Sequence, residues 1–351
     1  MPIESIVKTL SATRLSTYMK DHLCDASLEQ SLGLYVWNKQ LSGLFYPVLQ
    51  VLEVSLRNAI YRAYIEDKLQ EIETNYPQSH WENEKNNIDA LWFKSIYTAN
   101  NNRIGFNQIV TAERDLIKDG KAITADNLIA KLSFGFWVHM TDIRHRAGNP
   151  KTVIDLWPNL TRHVFPNAFD LKDDGVRLSI NNISSSLFEI SKLRNRIAHH
   201  EPIWKGDDLY DSDDAINKVV AQYELCLKVI SWINPNNLKL LSIIENDKQM
   251  GIACSQHTLW RNKMLAMGLA SVPILSGWQE RHQIDCRLRG EVVHSNLFRA
   301  LIKCDSSGKI FYTTQSMQNR KRTWPLLVGS KQTFIPKPSA NKYADATQVK
   351  P

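Results

Sequence analysis

The chain has 351 residues, with 43 Lys+Arg against 36 Asp+Glu and a formal net charge of +7. That length points to two domains, and 43% hydrophobic residues supply a packed core, which excludes a wholly disordered chain. Five scattered cysteines exclude a disulfide framework, and no apolar run reaches the roughly 18 residues of a membrane helix.

The first residues, MPIESIVKTLSATRLS, lack the basic-then-apolar order of a signal peptide, so the expectation is a soluble cytoplasmic protein. The charge is unevenly placed. Residues 250–351 hold 15 Lys+Arg and 5 Asp+Glu, a net of +10, which leaves −3 for residues 1–249.

In chain order, Leu34, Trp37, Leu41, Leu44, Val48 and Leu52 recur at helical spacing and predict one amphipathic helix, or two joined at Pro47. Glu53 and Arg57 follow as a favourable pair four apart. Ser79 to Glu82 has capping-box spacing, and the Asn-rich patches Asn83–Asn87 and Asn100–Asn102 read as turns. Helices are expected at about 107–118, 124–140 and 180–200, and from Ser212 to Asn234-Pro235.

Beyond residue 245, stretches 257–270 and 291–303 still read as helical. Stretches 309–314 and 324–328 read as strands, and Asp305–Gly308 as a turn. From Pro336 the chain is polar and reads as disordered. The expected class is mainly α, with a smaller basic α+β segment at the C-terminal end. The divisions are a helical domain over 1–240, a basic region over 245–335 and a tail over 336–351.

The stretch from Ser184 to Trp204, SSSLFEISKLRNRIAHHEPIW, carries the chemistry. On a helix Leu187, Ile190, Leu193 and Ile197 form an apolar stripe, while Asn195 and His199, four apart, stand opposite it. Arg194 lies between the two faces, and His200 falls nearer the core edge. Pro202 biases Glu201 out of the helical region, so the helix ends near His200 and His199 occupies its last turn, where free carbonyls favour a positive charge. An imidazole there can transfer protons, an arginine fork can take the charge of a phosphate in transition, and Asn195 can orient either group. Such a set cleaves RNA through attack of the 2′-OH on the adjacent phosphate, without a metal or other cofactor.

Arg194-Asn195-Arg196-Ile197-Ala198-His199 resembles the Arg-polar-x3-His motif of HEPN-domain ribonucleases, and LRNRIAHHEPIW (Leu193–Trp204) resembles the signature of the Abi-like proteins of bacterial abortive infection. LEVSLRNAI (Leu52–Ile60) and KLSFGFWVHM (Lys131–Met140) are similar to two further blocks of that family, in the same order. The resemblance spans about residues 30–235. It implies a HEPN-type helical bundle, phage defence, metal-independent endoribonuclease activity with Arg194, Asn195 and His199 as catalytic residues, and a homodimer that brings two such sets to one cleft. It also implies restraint of the activity, with a structured noncoding RNA as one candidate partner.

Other residues receive more modest readings. Arg57, Arg196 and His200 are candidate RNA contacts, although Arg57-Asn58 begins a second motif that ends in Arg62 instead of histidine. Phe134, Phe136 and Trp137 read as core, and His139 with Arg144-His145-Arg146 as a solvated helix end. In the basic region Arg320, Lys321 and Arg322 beside Trp324 form the densest candidate RNA-binding spot. Cys254, His257, His282 and Cys286 have an order and gap unusual for zinc, so no metal is expected. The competing expectation is a catalytically silent RNA-binding or scaffold protein in the same defence setting.

Overall fold

The computed structural model describes residues 2–19, 23, 27–97, 103–148, 154–170, 175–206, 211–274, 287–317, 324–337, 339 and 342–351. The chain divides into two units, Met1–Val272 and Pro273–Pro351. The first is helical: α1 (Pro2–Leu10), α2 (Ala12–Met19), α3 (Leu28–Asn75), α4 (Trp81–Asn86), α5 (Trp92–Ile96), α6 (Arg103–Lys118), α7 (Ala125–Lys131), α8 (Phe134–His139), α9 (Thr161–Val164), α10 (Ile180–Ala198), α11 (Ser212–Ile233), α12 (Leu238–Ile243), α13 (Asn246–Ala253) and α14 (Gln256–Met267). Strands β1 (Phe169–Asp170) and β2 (Val176–Arg177) form a short ladder within it.

The spine is α3, whose 48 residues run unbroken past Pro47. Its Leu34, Trp37, Leu41, Phe45, Val48, Leu52 and Leu56 are all fully buried, under α2, α11, α13 and α14 among others. Pro47 removes one N–H from the ladder, and Gly43, the residue four before it whose carbonyl that N–H would meet, is solvent-exposed. Beside that interruption the buried Asn246 of α13 donates through Nδ2 to the Leu44 carbonyl (3.1 Å) and accepts from the Tyr223 hydroxyl (2.7 Å).

These contacts place α12 to α14 in the helical unit, so the boundary falls at Val272 and not near residue 240 as the sequence suggested. Trp37 also reaches this part of the chain, its indole donating to the Ala253 carbonyl (2.9 Å). At Gly33 the backbone of α14 comes so close that an added Cβ would stand 2.6 Å from Lys263 Cα.

Several local readings are corrected. The 124–140 helix is split, because Leu132 is extended and Ser133 caps α8 by accepting from the Phe136 N–H. Asn83–Asn86 are helical, and the expected capping box is absent, since α4 starts from His80 with no side-chain cap bond. Asn100–Asn102 lie outside the described residues. Phe134, Phe136 and Trp137 are core, as expected, but His145 is buried and not a solvated end: it is 4% exposed and within hydrogen-bond distance of the Tyr97 hydroxyl (3.2 Å). No helix among the described residues is long and apolar enough to cross a membrane.

The second unit is a closed five-stranded barrel. Its strands β3 (Leu288–Ser295), β4 (Arg299–Cys304), β5 (Ile310–Thr314), β6 (Lys331–Lys337) and β7 (Ala344–Lys350) are arranged in the order β3-β4-β5-β7-β6. All pairings are antiparallel except β5 with β7, and β6 closes back on β3. The expected helix at 291–303 is a hairpin instead. Arg299 to Cys304 alternates between outside and barrel core, and Asn296 Oδ1 accepts from the N–H groups of Phe298 and Arg299 (both 2.9 Å) to set the turn.

The expected strand at 324–328 is a loop that drops Leu326 into the barrel. The expected disordered tail contains β7, held by its partners β5 and β6 and by Val349 in the core. The Asp305–Gly308 turn forms as read, with Gly308 at φ 66°.

Gly33→Ala forces backbone against backbone and costs about 2–3 kcal/mol in urea unfolding. For His145, burial reinforced by the Arg144 guanidinium pushes the imidazole down to about 4. The unfolded chain, with an ordinary histidine near 6.5, binds the proton first, so stability is full above about pH 6.5 and falls as pH drops towards 4. This residue contributes a loss of about 3 kcal/mol over that window, and His145→Gln removes it. Urea midpoints of both proteins at pH 7 and pH 4.5 check the difference.

Candidate functional site

Helix α10 starts at Ser179, whose hydroxyl accepts from the Asn182 N–H (3.3 Å). Its Ile183, Leu187, Ile190 and Leu193 are buried, and Ile197 packs half-buried against the same core. This is the expected stripe, and it leaves Arg194, Asn195 and His199 exposed as the spacing required. Arg194 Nη1 points at Asn195 Oδ1 (3.4 Å).

The helix ends at Ala198, two residues before the end that Pro202 implied. His199 is its C-cap, and His200 adopts the left-handed conformation at φ 59°. The His200 N–H donates to Ile197 O (3.1 Å) and the Glu201 N–H to Arg196 O (2.9 Å), the two bonds of a Schellman ending. Glycine is the usual residue at that position, and a histidine there costs about 1 kcal/mol. The turn carries His200 outward, so it is exposed and not at the core edge.

That strained ending is held from outside the motif. Arg14 of α2 donates to the His199 carbonyl (2.8 Å) and the Tyr18 hydroxyl to the His200 carbonyl (3.2 Å). Asn38, fully buried in α3, donates through Nδ2 to the Glu201 carbonyl (3.0 Å) and to the Tyr18 hydroxyl (3.0 Å), and accepts at Oδ1 from the Ile203 N–H (3.1 Å). Trp204 then seals the segment, its ring 4.6 Å from Trp37 and 6.1 Å from Tyr18. Burial outweighs the Asn38 hydrogen bond and pushes the Tyr18 hydroxyl up to about 12, so it stays protonated as a donor.

Arg194 lines an open groove of about 1600 Å³ together with Arg57, Arg62 and His163 and the carboxylates Glu53 and Glu66. Burial raises Glu53 above the usual carboxylate range, while Arg194 and then Arg57 pull it back down. The Arg57 Nε atom is buried with no hydrogen-bond partner among the described residues. Arg196 and His200 face elsewhere. They line a separate pocket of about 260 Å³ with Arg14 and Lys205, and Arg196 Nη1 donates to the Lys205 carbonyl (2.6 Å). His199 sits in the chain between Ala198, which lines the groove, and His200, which lines the pocket.

The sequence reading named Arg57 and Arg194 separately, with Arg57 paired to Glu53; the structure lines one groove with all three, and Arg14, Tyr18, Asn38 and Lys205 were missed. Asn38 left one signal, an amide inside the apolar series Leu34, Trp37, Leu41. In the barrel unit Arg320, Lys321 and Arg322 lie outside the described residues, as do His282 and Cys286. Trp324 packs against the barrel core. Cys254 contacts the Met250 sulfur (3.5 Å), and burial pushes its thiol up to about 11.

A family model described as Abi-like protein matches residues 5–205, which covers all three sequence blocks and more than half of the chain. No curated protein and no solved structure matches.

Asn38→Ala leaves the buried Ile203 N–H and Glu201 carbonyl unsatisfied. The expected cost is about 2–4 kcal/mol in urea unfolding, and hydrogen exchange at Ile203 accelerates with it.

Proposed function

Since the chain belongs to the Abi-like family, which points to abortive infection as its setting, we propose that its helical unit is a HEPN-type endoribonuclease acting in the cytoplasm. The supporting observation is the capped end of α10. It exposes Arg194, Asn195 and His199 together on a segment fixed by Asn38, with Arg194 facing a groove large enough for a nucleic-acid strand.

In this reading Arg194 and Asn195 hold the scissile phosphate. The 2′-oxygen attacks phosphorus, the bond from phosphorus to the 5′-oxygen breaks, and the products carry a 2′,3′-cyclic phosphate and a 5′-hydroxyl. His199 moves a proton on this path, and Arg194 takes the charge that develops on the phosphoryl oxygens. That charge compensation needs no metal ion. One histidine per chain supplies one of the two proton transfers, and a second copy of the chain, paired through the helical unit, supplies the other. RNA is thus the substrate, and a structured noncoding RNA is a fitting restraint until infection.

His199→Ala is expected to lower cleavage by about 10²–10⁴-fold and to abolish growth arrest while RNA binding remains. Cyclic-phosphate ends formed in the presence of EDTA support the route. Cleavage by His199→Ala at the wild-type rate removes His199 from the mechanism, and binding without cleavage by the wild type leaves an RNA-binding protein.

A further inference from the structure

The barrel unit has a feature that its basicity alone does not describe. Its first three strands form a meander, its fourth pairs with the first, and its fifth lies between the fourth and, in parallel, the third. That is the connectivity of the barrels that hold oligonucleotides across their second and third strands, here β4 and β5, flanked by the loops after the first and fourth strands.

The outward residues of that face can be read from the registers. His294 on β3 is opposite Leu301 on β4, Leu301 is opposite Tyr312 on β5, and Tyr312 is beside Asp345 on β7. These four make a row across four strands, about 14 Å at the usual strand spacing. Two residues either side of Leu301 stand Arg299 and Lys303, both exposed, and among the described residues neither makes an ion pair. At the β3–β4 hairpin tip Phe298 is 78% exposed beside Leu297 at 68%. Just before β7, Lys342 lies over the Tyr343 ring at 5.4 Å.

We infer that the outer face of β4 and β5 binds single-stranded nucleic acid, with Phe298 and Tyr312 stacking on bases and Arg299 and Lys303 meeting phosphates. The charge favours this ligand. The unit carries 13 Lys+Arg against 5 Asp+Glu, and two of its acids, Glu291 and Asp305, are already tied to Lys331. The third described acid, Asp345, lies beside Tyr312, and one of its carboxylate oxygens is buried with no hydrogen-bond partner among the described residues. An exposed and a half-buried ring flanked by cations need bases that are splayed out, which a single strand offers and a duplex does not. A row across four strands has room for two or three bases.

This deepens the RNA-partner part of the proposed function but stands on the barrel alone. Fluorescence anisotropy of the full chain with a labelled 12-nucleotide oligo-dT tests it, and because DNA has no 2′-OH the readout does not depend on whether the helical unit cleaves RNA. Phe298→Ala and Tyr312→Ala should each weaken binding about tenfold. Arg299→Ala and Lys303→Ala should each reduce the slope of log affinity against log salt by about 1. Both ring positions are exposed or half-buried, and circular dichroism confirms folded variants. Wild-type affinity in the Phe298→Ala/Tyr312→Ala double variant overturns the proposal. So does equal binding of duplex and single strand, or an absence of oligonucleotide binding together with self-association lost in the double variant, which would make the patch a protein contact.

Discussion

Asn38 is a polar side chain set among the apolar residues of a fully covered helix, and the geometry of the candidate site depends on it. Its amide group makes three hydrogen bonds, to the Glu201 carbonyl, the Ile203 N–H and the Tyr18 hydroxyl. Buried amides of this kind are held tightly because an unmet partner in a dry interior costs more than the bond itself contributes. The bonds fix the chain just past α10, and that allows His200 to remain in a conformation it would otherwise leave. Strain at the exposed His200 is thus offset by burial one layer below, in Asn38, Ile203 and Trp204.

The same spine organises the groove. Glu53 and Arg57 lie one turn apart on α3, and α10 brings Arg194 to them. Two guanidinium groups around one partly desolvated carboxylate make a site of mixed sign. Such a site attracts phosphate less strongly at long range than a purely basic surface does, but it orients arginine side chains that would otherwise be free to move.

The two units divide the chemistry by charge. The helical unit holds the Arg194–His199 constellation on a body in which acids and bases nearly balance, while the barrel carries the excess of positive charge on a small surface. Within the barrel, basic residues have different duties. Arg287 donates to the Thr333 and Gln348 carbonyls and so ties β6 to β7, and Lys331 satisfies two carboxylates. Arg299 and Lys303 remain on the outer face. A net charge could not distinguish these roles, because it counts the structural cations with the exposed ones.

What the sequence determined was set by short-range periodicity. Leu187, Ile190 and Leu193 at helical spacing define the buried side of α10, so the exposure of Arg194, Asn195 and His199 follows from the 100° turn per residue. Three blocks of residues likewise identify the family. What the sequence left undecided depends on partners far away in the chain. The passage of α3 through Pro47 goes with the exposure of Gly43 and the bond from Asn246, about 200 residues later, to the Leu44 carbonyl. The two strands in 291–303 depend on β5 and β6, since an isolated segment of mixed apolar and basic residues fits either period. The strand at 344–350 is polar enough to look disordered, and it is ordered by backbone hydrogen bonds to neighbours on both sides. The clamp on His199 joins α2, α3 and the segment after α10. Side-chain direction is a local property of the helix, but the bonds that hold its end in place join residues 163 to 185 positions apart and exist only once the intervening chain has folded back.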